Sequence, residues 1–264
     1  MRLTVLGKSP AWQDADGACS GYLLQEGDTA VLLDCGNGVF GKLRKFVDYV
    51  DVDAVVISHL HADHFIDLVP YSYALIHAPR QQPVPVPPWP GTDSPARPRL
   101  VAPPDAAKTF RRVVGAWGNE DLIEQAFELE EYAVDAAIEV GPLRFSFAVM
   151  PHFVDAHAVS VSSANGGKRL VFSADSRPAE ELVAFARGAD LFLVEATLPR
   201  PERTGIRGHL TAEEAGAHGR AAGVGRVVLT HISDELDQEQ AREQAATAFG
   251  GPVEVAREGA VYEV

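Results

Sequence analysis

The sequence predicts an α/β (α+β) protein built as a four-layer αββα sandwich, two β-sheets packed face to face with helices outside. Strand-like segments dominate the start of each half of the chain, and helix-like segments close each half. The chain has 264 residues, 46% of them hydrophobic and 23% charged, an ordinary globular composition that can bury a large core. Residues 1–264 are expected to form one domain, because histidine-bearing segments that must meet in space flank its one proline-rich stretch.

Residues 2–7, 19–25 and 29–34 read as short strands separated by turns such as Glu26-Gly27-Asp28. A helix is expected over 38–49, then a buried strand, Ala54-Val55-Val56-Ile57, that runs straight into a histidine cluster. Residues 64–77 suit a helix. The stretch from Pro79 to Pro104 holds ten of the 18 prolines. Proline lacks an N–H and fixes φ, so regular helix is excluded there. That stretch, about 79–104, reads as a surface insertion near the site entrance.

In the second half, strands are expected at 128–133, 136–140, 143–149, 157–163 and 168–173, with Asn165-Gly166-Gly167 as the turn between the last two. A helix over 178–187 follows Arg177-Pro178 and leads to the strand Leu191-Phe192-Leu193-Val194. Thr211, with Glu214 three residues on, fits a capping box for a helix over 211–222. The strand Val227-Val228-Leu229-Thr230, a helix over 237–248 and short strands at 252–255 and 260–263 complete the chain.

Charge narrows the partners. The 23 Lys and Arg against 37 Asp and Glu leave a formal charge of −14, which disfavours gripping a polynucleotide along an extended track. Two cysteines, Cys19 and Cys35, make no disulfide framework. The opening Met1 to Gly7 reads as a strand, too short for a signal peptide, and no apolar run approaches the roughly 18 residues of a membrane span. A soluble cytoplasmic protein with no membrane contact is expected.

The chemistry concentrates in His59-x-His61-x-Asp63-His64, three imidazoles and one carboxylate within six residues. Zinc takes nitrogen, oxygen or sulfur donors in four- or five-coordinate geometry, and a pair of ions needs about seven donors plus a bridging water. His59 and His61 are two apart and would point to one side of an extended segment. Asp63 and His64, where the chain turns into a helix, can address a second ion. A run of solvated or core histidines is the alternative, but the buried strand leading into this one argues for a metal site. Lys8-Ser9 is not a phosphate loop, because the glycine spacing of one is lacking.

With the residues spaced after it, the cluster resembles the metallo-β-lactamase superfamily over nearly the whole chain, which implies the αββα metallo-β-lactamase sandwich. That family's pattern runs from an early aspartate after a strand, through the histidine cluster and a lone histidine, to an aspartate and then a histidine at strand ends. Asp34 in Leu32-Leu33-Asp34-Cys35-Gly36, His152 in Met150-Pro151-His152, Asp175 in Phe172-Ser173-Ala174-Asp175 and His231 in Leu229-Thr230-His231 occupy those places. The resemblance implies one ion on His59, His61 and His152, a second on Asp63, His64 and His231, and Asp175 bridging them. Asp34 would orient the cluster loop. Two divalent ions are the implied cofactor, zinc first, with manganese or iron suited to the same donors.

Two further elements resemble the phosphodiesterase branch of that superfamily, which includes ribonuclease Z and cyclic-nucleotide phosphodiesterases. They are Glu195 in Val194-Glu195-Ala196-Thr197 and His209 in Gly208-His209-Leu210-Thr211. The branch has His-Ser-Thr where this chain has His-Leu-Thr. The implied role is protonation of the leaving alkoxide, a poor anion, by an imidazolium that a carboxylate orients. Gly7 to Pro10, Cys19 to Tyr22 and the form of the cluster also resemble an atypical group of bacterial cyclic-nucleotide phosphodiesterases. His157, five residues after His152, could line the pocket; His77 and His218 read as surface residues and Asp67 as structural.

A metal-dependent phosphodiesterase acting on a small phosphodiester, such as a cyclic nucleotide, through a metal-bridging water is therefore the leading expectation. Asp63, His209 and Glu195 are its catalytic residues. Ribonuclease Z carries a tRNA-clamping arm between the lone histidine and the bridging aspartate, but His152 and Asp175 are only 23 positions apart. The missing arm and the negative charge argue against tRNA processing and against large nucleic acids as partners. Hydrolysis of an ester, thioester or lactone, with Trp89 and the proline-rich insertion roofing an acyl pocket, is a second reading, and a non-catalytic accessory protein a third. Family likeness leaves a homodimer open.

Overall fold

The computed structural model describes every residue except Asn165, Gly166 and Arg203, so the Asn165-Gly166 part of the expected turn lies outside the described residues. The first half runs β1 (Arg2–Gly7), β2 (Gly21–Glu26), β3 (Thr29–Leu33), α1 (Val39–Leu43), β4 (Ala54–Val56), α2 (Ala62–Phe65), α3 (Leu68–His77), β5 (Arg99–Ala102), α4 (Ala106–Gly115), α5 (Leu122–Ala126) and β6 (Glu128–Glu131). The second runs β7 (Ile138–Val140), β8 (Leu143–Met150), β9 (Ala156–Ser163), β10 (Arg169–Phe172), α6 (Glu180–Ala186), β11 (Leu191–Glu195), α7 (Ala212–Ala222), β12 (Val227–Thr230), α8 (Gln238–Phe249), β13 (Val253–Val255) and β14 (Val261–Glu263).

Successive strand residues point to opposite faces, and three apolar cores follow from that rule. Leu3 and Val5 of β1, Val31 and Leu33 of β3, and Leu191 and Leu193 of β11 meet Tyr22, Phe145 and Phe172 between the sheets. The alternate residues Leu6 and Leu32 face Leu43, Tyr71, Phe110 and Leu122 of the first helical layer. Phe192 and Val194 face Leu182, Ala215 and Ala245 of the second. The result is the expected αββα sandwich.

Among the described residues each sheet has seven strands, in the orders β14-β1-β2-β3-β4-β5-β6 and β13-β12-β11-β10-β9-β8-β7. Within each, four consecutive strands run parallel: β3 to β6 in the first and β10 to β13 in the second. The last strand, β14, returns to the first sheet and pairs antiparallel with β1, Arg2 opposite Glu263. The expected capping box is present on α7, with Thr211 and Glu214 satisfying each other's backbone N–H.

Three expectations need correction. The helix over 38–49 stops after Leu43, because Asp48 turns its carboxylate back to the Val50 N–H and starts a separate 3₁₀ turn at Tyr49–Asp51. The helix over 64–77 is two helices, parted at Asp67, whose carboxylate accepts the Phe40 N–H at 2.9 Å and whose own N–H reaches Cys35 O at 3.0 Å. The proline-rich stretch is not all surface insertion. Arg99–Ala102 forms β5, the penultimate strand of the first sheet, pairing with β4 and β6, and Leu100, Val101 and Ala102 are fully buried. Its four residues contain no proline, and the prolines on either side hid it. Helices α4 and α5 fall in a stretch to which the sequence reading assigned no structure.

Candidate metal centre

The donors gather where strands end, outside the carboxyl ends of the parallel strands, as open α/β sheets favour. β4 leads to His59, β8 to His152, β10 to Asp175 and β12 to His231. Register places Phe172 beside Leu193 and Glu195 beside Thr230, so three neighbouring strands finish side by side. An isolated bridge from His59 to Ala156 ties the cluster loop to the second sheet. Among the described residues, three of the five positive-φ residues other than glycine lie in these loops: Asp34 (φ 59), Ala174 (φ 50) and His231 (φ 50). Side chains rarely adopt that backbone; the turns at Ala174 and His231 bring Asp175 and His231 to the cleft, and the one at Asp34 brings its carboxylate to His64 and Ser58.

Two donor groups result, His59, His61, His152 and Asp175 in one, and Asp63, His64, Asp175 and His231 in the other. In the first, His61 Nδ1 lies 3.2 Å from His59 Nε2 and 3.0 Å from His152 Nε2, while Asp175 Oδ2 is 3.7 Å from both Nε2 atoms. In the second, Asp63 Oδ2 lies 3.4 Å from His64 Nε2 and 3.2 Å from His231 Nε2, and Asp175 Oδ1 lies 3.5 and 3.6 Å from the same two nitrogens. Zinc arms of about 2.1 Å in tetrahedral geometry put donor atoms about 3.4 Å apart. The residues present therefore fit a pair of divalent ions, with one oxygen of Asp175 turned to each.

A second observation points the same way. His64 Nε2 and Asp175 Oδ1 are buried with no hydrogen-bond partner among the described residues, a costly arrangement unless a cation takes their lone pairs. Burial, reinforced by His64 for His59 and by His152 for His61, holds those two imidazoles below their ordinary range; burial does the same to His152. All three stay neutral, as ligands must. His64 behaves oppositely. Burial disfavours its charge, but Asp175, Asp63 and Asp34 outweigh burial and push it well up. Without a metal, a proton supplies the positive charge that three carboxylates demand. Asp63 and Asp175 resist the upward push of burial because His64 and His231 hold both well below the usual carboxylate range.

Outer hydrogen bonds aim the rings. His64 Nδ1 donates to Asp34 at 2.7 Å, and Asp34 also accepts from Ser58 N and Ser58 Oγ, which pins the cluster loop as expected of that aspartate. His152 Nδ1 donates to Gly208 O at 2.9 Å. His231 Nδ1 lies 2.8 Å from Thr197 Oγ1, which in turn donates to Glu195 Oε2 at 2.7 Å. Thr197 escaped sequence reading because hydroxyl residues are common near strand ends and only the fold brings this one behind His231.

Glu195 is fully buried, so its role is to position others. Its Oε1 accepts from Ser176 N at 2.8 Å and from His209 Nδ1 at 3.1 Å, which leaves His209 Nε2 available at the cleft. Burial opposes a charge on His209, yet the hydrogen bond and charge of Glu195 prevail and raise it to about 9. His209 lies in the same cleft as His61, Asp63, Asp175 and His231, with Glu195 favouring its charged form.

Other expectations fare differently. His157 does not line the cleft. It is buried behind the cluster strand, its Nδ1 on Ser58 O at 3.2 Å and its ring edge-on to Tyr132. His77 is exposed, while half-buried His218 is fastened between Glu214 O and Ala179 N. The proline-rich segment contributes nothing to the cleft lining; Trp89 stacks instead under Arg80, 4.5 Å from its ring centre, beside a separate groove. The aromatic residues at the cleft are Trp12 and Phe153, neither singled out by the sequence reading.

Comparison with known proteins agrees with this architecture. A family model described as "Beta-lactamase superfamily domain" matches residues 29–232. The probable metallo-hydrolase YhfI of Bacillus subtilis is 30% identical over the full length of both chains. Its crystal structure superposes with a TM-score of 0.83 at 28% identity, covering 99% of each chain. Ribonuclease Z of Myxococcus xanthus is 30% identical, covering 100% of this chain and 98% of that one.

Proposed function

The chain belongs to the beta-lactamase superfamily of metal-dependent hydrolases, and from that premise we propose that it hydrolyses a small phosphodiester, such as a cyclic nucleotide. The observation that carries this reading is His209: an imidazole held by buried Glu195 at 3.1 Å through Nδ1, with its Nε2 free at the rim of the donor groups. A phosphodiester's alkoxide needs a proton, and this imidazole is placed to give one.

Two ions, zinc foremost, held by His59, His61 and His152 and by Asp63, His64 and His231 with Asp175 between, would lower the pKa of water and neutralise phosphoryl oxygens. Asp63, which lines the cleft, is the carboxylate placed to take the proton that the attacking water loses. The water oxygen bonds to phosphorus, the bond from phosphorus to the ester oxygen breaks, and that oxygen takes its proton from His209. Glu195 holds the ring in place and stabilises its charged form before transfer. Thr197 keeps His231 turned with Nε2 towards Asp63 and Asp175.

Three features weigh against a tRNA substrate. The formal charge is −14. β9 and β10 take up twelve of the 22 positions between His152 and Asp175, leaving no run longer than five for an arm. The alignment with the M. xanthus enzyme spans 314 positions against 264 residues here, so at least fifty of its positions have no counterpart. The roof that residues 79–104 could have given an ester or lactone pocket is not there, since none of them lines the cleft.

Turnover of bis(p-nitrophenyl) phosphate and cyclic nucleotides by metal-loaded protein, set against aryl esters and lactones, tests the reading. In His209→Ala, phosphodiester turnover is expected to fall by about 10²–10⁴ with bound metal retained. Negligible hydrolysis of every phosphodiester would sink it.

A further inference from the structure

The cleft has two unlike sides. Metal-type donors form one, while Pro10, Ala11, Trp12 and Phe153 form an apolar wall across a volume of about 320 Å³. Trp12 is 52% exposed and Phe153 50%, so two large rings stand half in water at the one place where a substrate must pass. Leaving that much apolar surface open is unfavourable in the free protein, and such surface marks a recognition site.

Both rings are held in place by their surroundings. Phe153 packs closely against Gly208, where even a Cβ would come within 2.2 Å of its ring. Its ring centre is 4.9 Å from that of His152 and 5.9 Å from that of His209, so it adjoins both a donor and the imidazole that Glu195 holds. Trp12 sits on the loop between β1 and β2, and that loop is clipped to the His231 turn. Buried Lys8 pairs with Asp14 and donates from Nζ to Ile232 O at 2.8 Å, while Ile232 N donates to Lys8 O at 3.0 Å. Asp14 closes the clip by accepting from Asp234 N at 3.0 Å, and its own N–H reaches Ser9 Oγ at 3.0 Å.

We propose that Trp12 and Phe153 are the substrate-selecting residues of this cleft, stacking on the nucleobase of a nucleoside cyclic phosphate while its phosphodiester lies over the donor groups. The proposal rests on the phosphodiester reading and narrows it to substrates that carry a planar heteroaromatic ring. The wall that would face the base, Pro10, Ala11, Trp12 and Phe153, carries no amide, hydroxyl, guanidinium or carboxylate to read a base edge. Selection is therefore by stacking, which tolerates either purine and favours purines over pyrimidines.

The test uses the metal-loaded full chain with adenosine, guanosine and cytidine 3′,5′-cyclic phosphates and with 1-O-methylribose 3′,5′-cyclic phosphate, the same diester without a base. Trp12→Leu and Phe153→Leu are each expected to raise KM for the adenosine substrate between about 5- and 150-fold, with kcat changed far less. The preference for nucleotide over the base-free diester should collapse in the double variant. Adenosine alone, which cannot be hydrolysed, should quench tryptophan fluorescence in the wild-type chain and fail to do so in Trp12→Leu. Unchanged KM in both variants, or a quench that persists without Trp12, overturns the proposal. The two readings fail separately: quenching without hydrolysis of any diester defeats the phosphodiesterase and keeps the ring site, and hydrolysis without quenching does the reverse.

Discussion

The two sheets supply the site in opposite ways. The first delivers His59, His61, Asp63 and His64 on one short loop, fastened by the hydrogen bonds of Asp34 and by the close approach of Gly36 to the Asp63 backbone. The second delivers one side chain per strand end, His152, Asp175, Glu195 and His231, and these are fastened largely to the loops around them. A local cluster keeps its geometry as long as one loop keeps its shape. A set of singles depends on the register of four strands, and its errors are shared.

Asp175 sits where the two contributions meet, so breaking it should cost most. Asp175→Ala removes a donor from both groups at once. Activity is expected to drop at least about a thousandfold, with bound metal falling towards zero by elemental analysis. Retention of two ions per chain in that variant would mean that the halves hold metal independently.

Gly36→Ala strikes the first half alone. Its Cβ would lie 1.9 Å from Asp63 O and 2.7 Å from Asp63 C, backbone that cannot swing aside as a flexible side chain would. Overpacking of this kind costs about 1–3 kcal/mol, readable by denaturant unfolding, and chelator competition should show weaker metal binding. Normal metal affinity in a destabilised variant would show that the cluster loop tolerates more displacement than its hydrogen bonds suggest.

Thr197→Val is the mildest break, confined to the second half. It removes the hydroxyl between His231 Nδ1 and Glu195 Oε2 but keeps the shape of the side chain. Loss of such an outer hydrogen bond is expected to weaken metal binding or activity by about 10- to 100-fold. If Thr197→Ser restores both, the hydroxyl and not the packing is responsible.

Legibility followed the same division. The cluster could be read directly, because its four donors are close in sequence and need only a strand and a turn to converge. His152, Asp175 and His231 were legible only through the order in which a known family sets them out. Their convergence is visible once Phe172 pairs with Leu193 and Glu195 with Thr230. β5 was missed because proline content was allowed to speak for Arg99–Ala102, where a buried apolar run sits between the prolines. His157 was misplaced because proximity in sequence to His152 says nothing about face: Val149 pairs with His157 across β8 and β9, and that side of the sheet carries the ring behind the cluster. Trp12 and Phe153 gave no sequence signal, being single aromatic residues on polar loops.

By itself, the sequence determined the layered architecture, through period-two alternation and helix-capping residues that act over a few positions. It also determined the chemistry of the first half of the site, since imidazoles and a carboxylate so close together favour a metal over burial or solvation. The tertiary structure alone decided the rest: Asp175 between two donor groups, Glu195 buried behind His209, and an aromatic wall opposite. Those relations join residues up to 219 positions apart in the chain, from Trp12 to His231. Contacts of that span are set by strand register and loop packing, which no local pattern encodes.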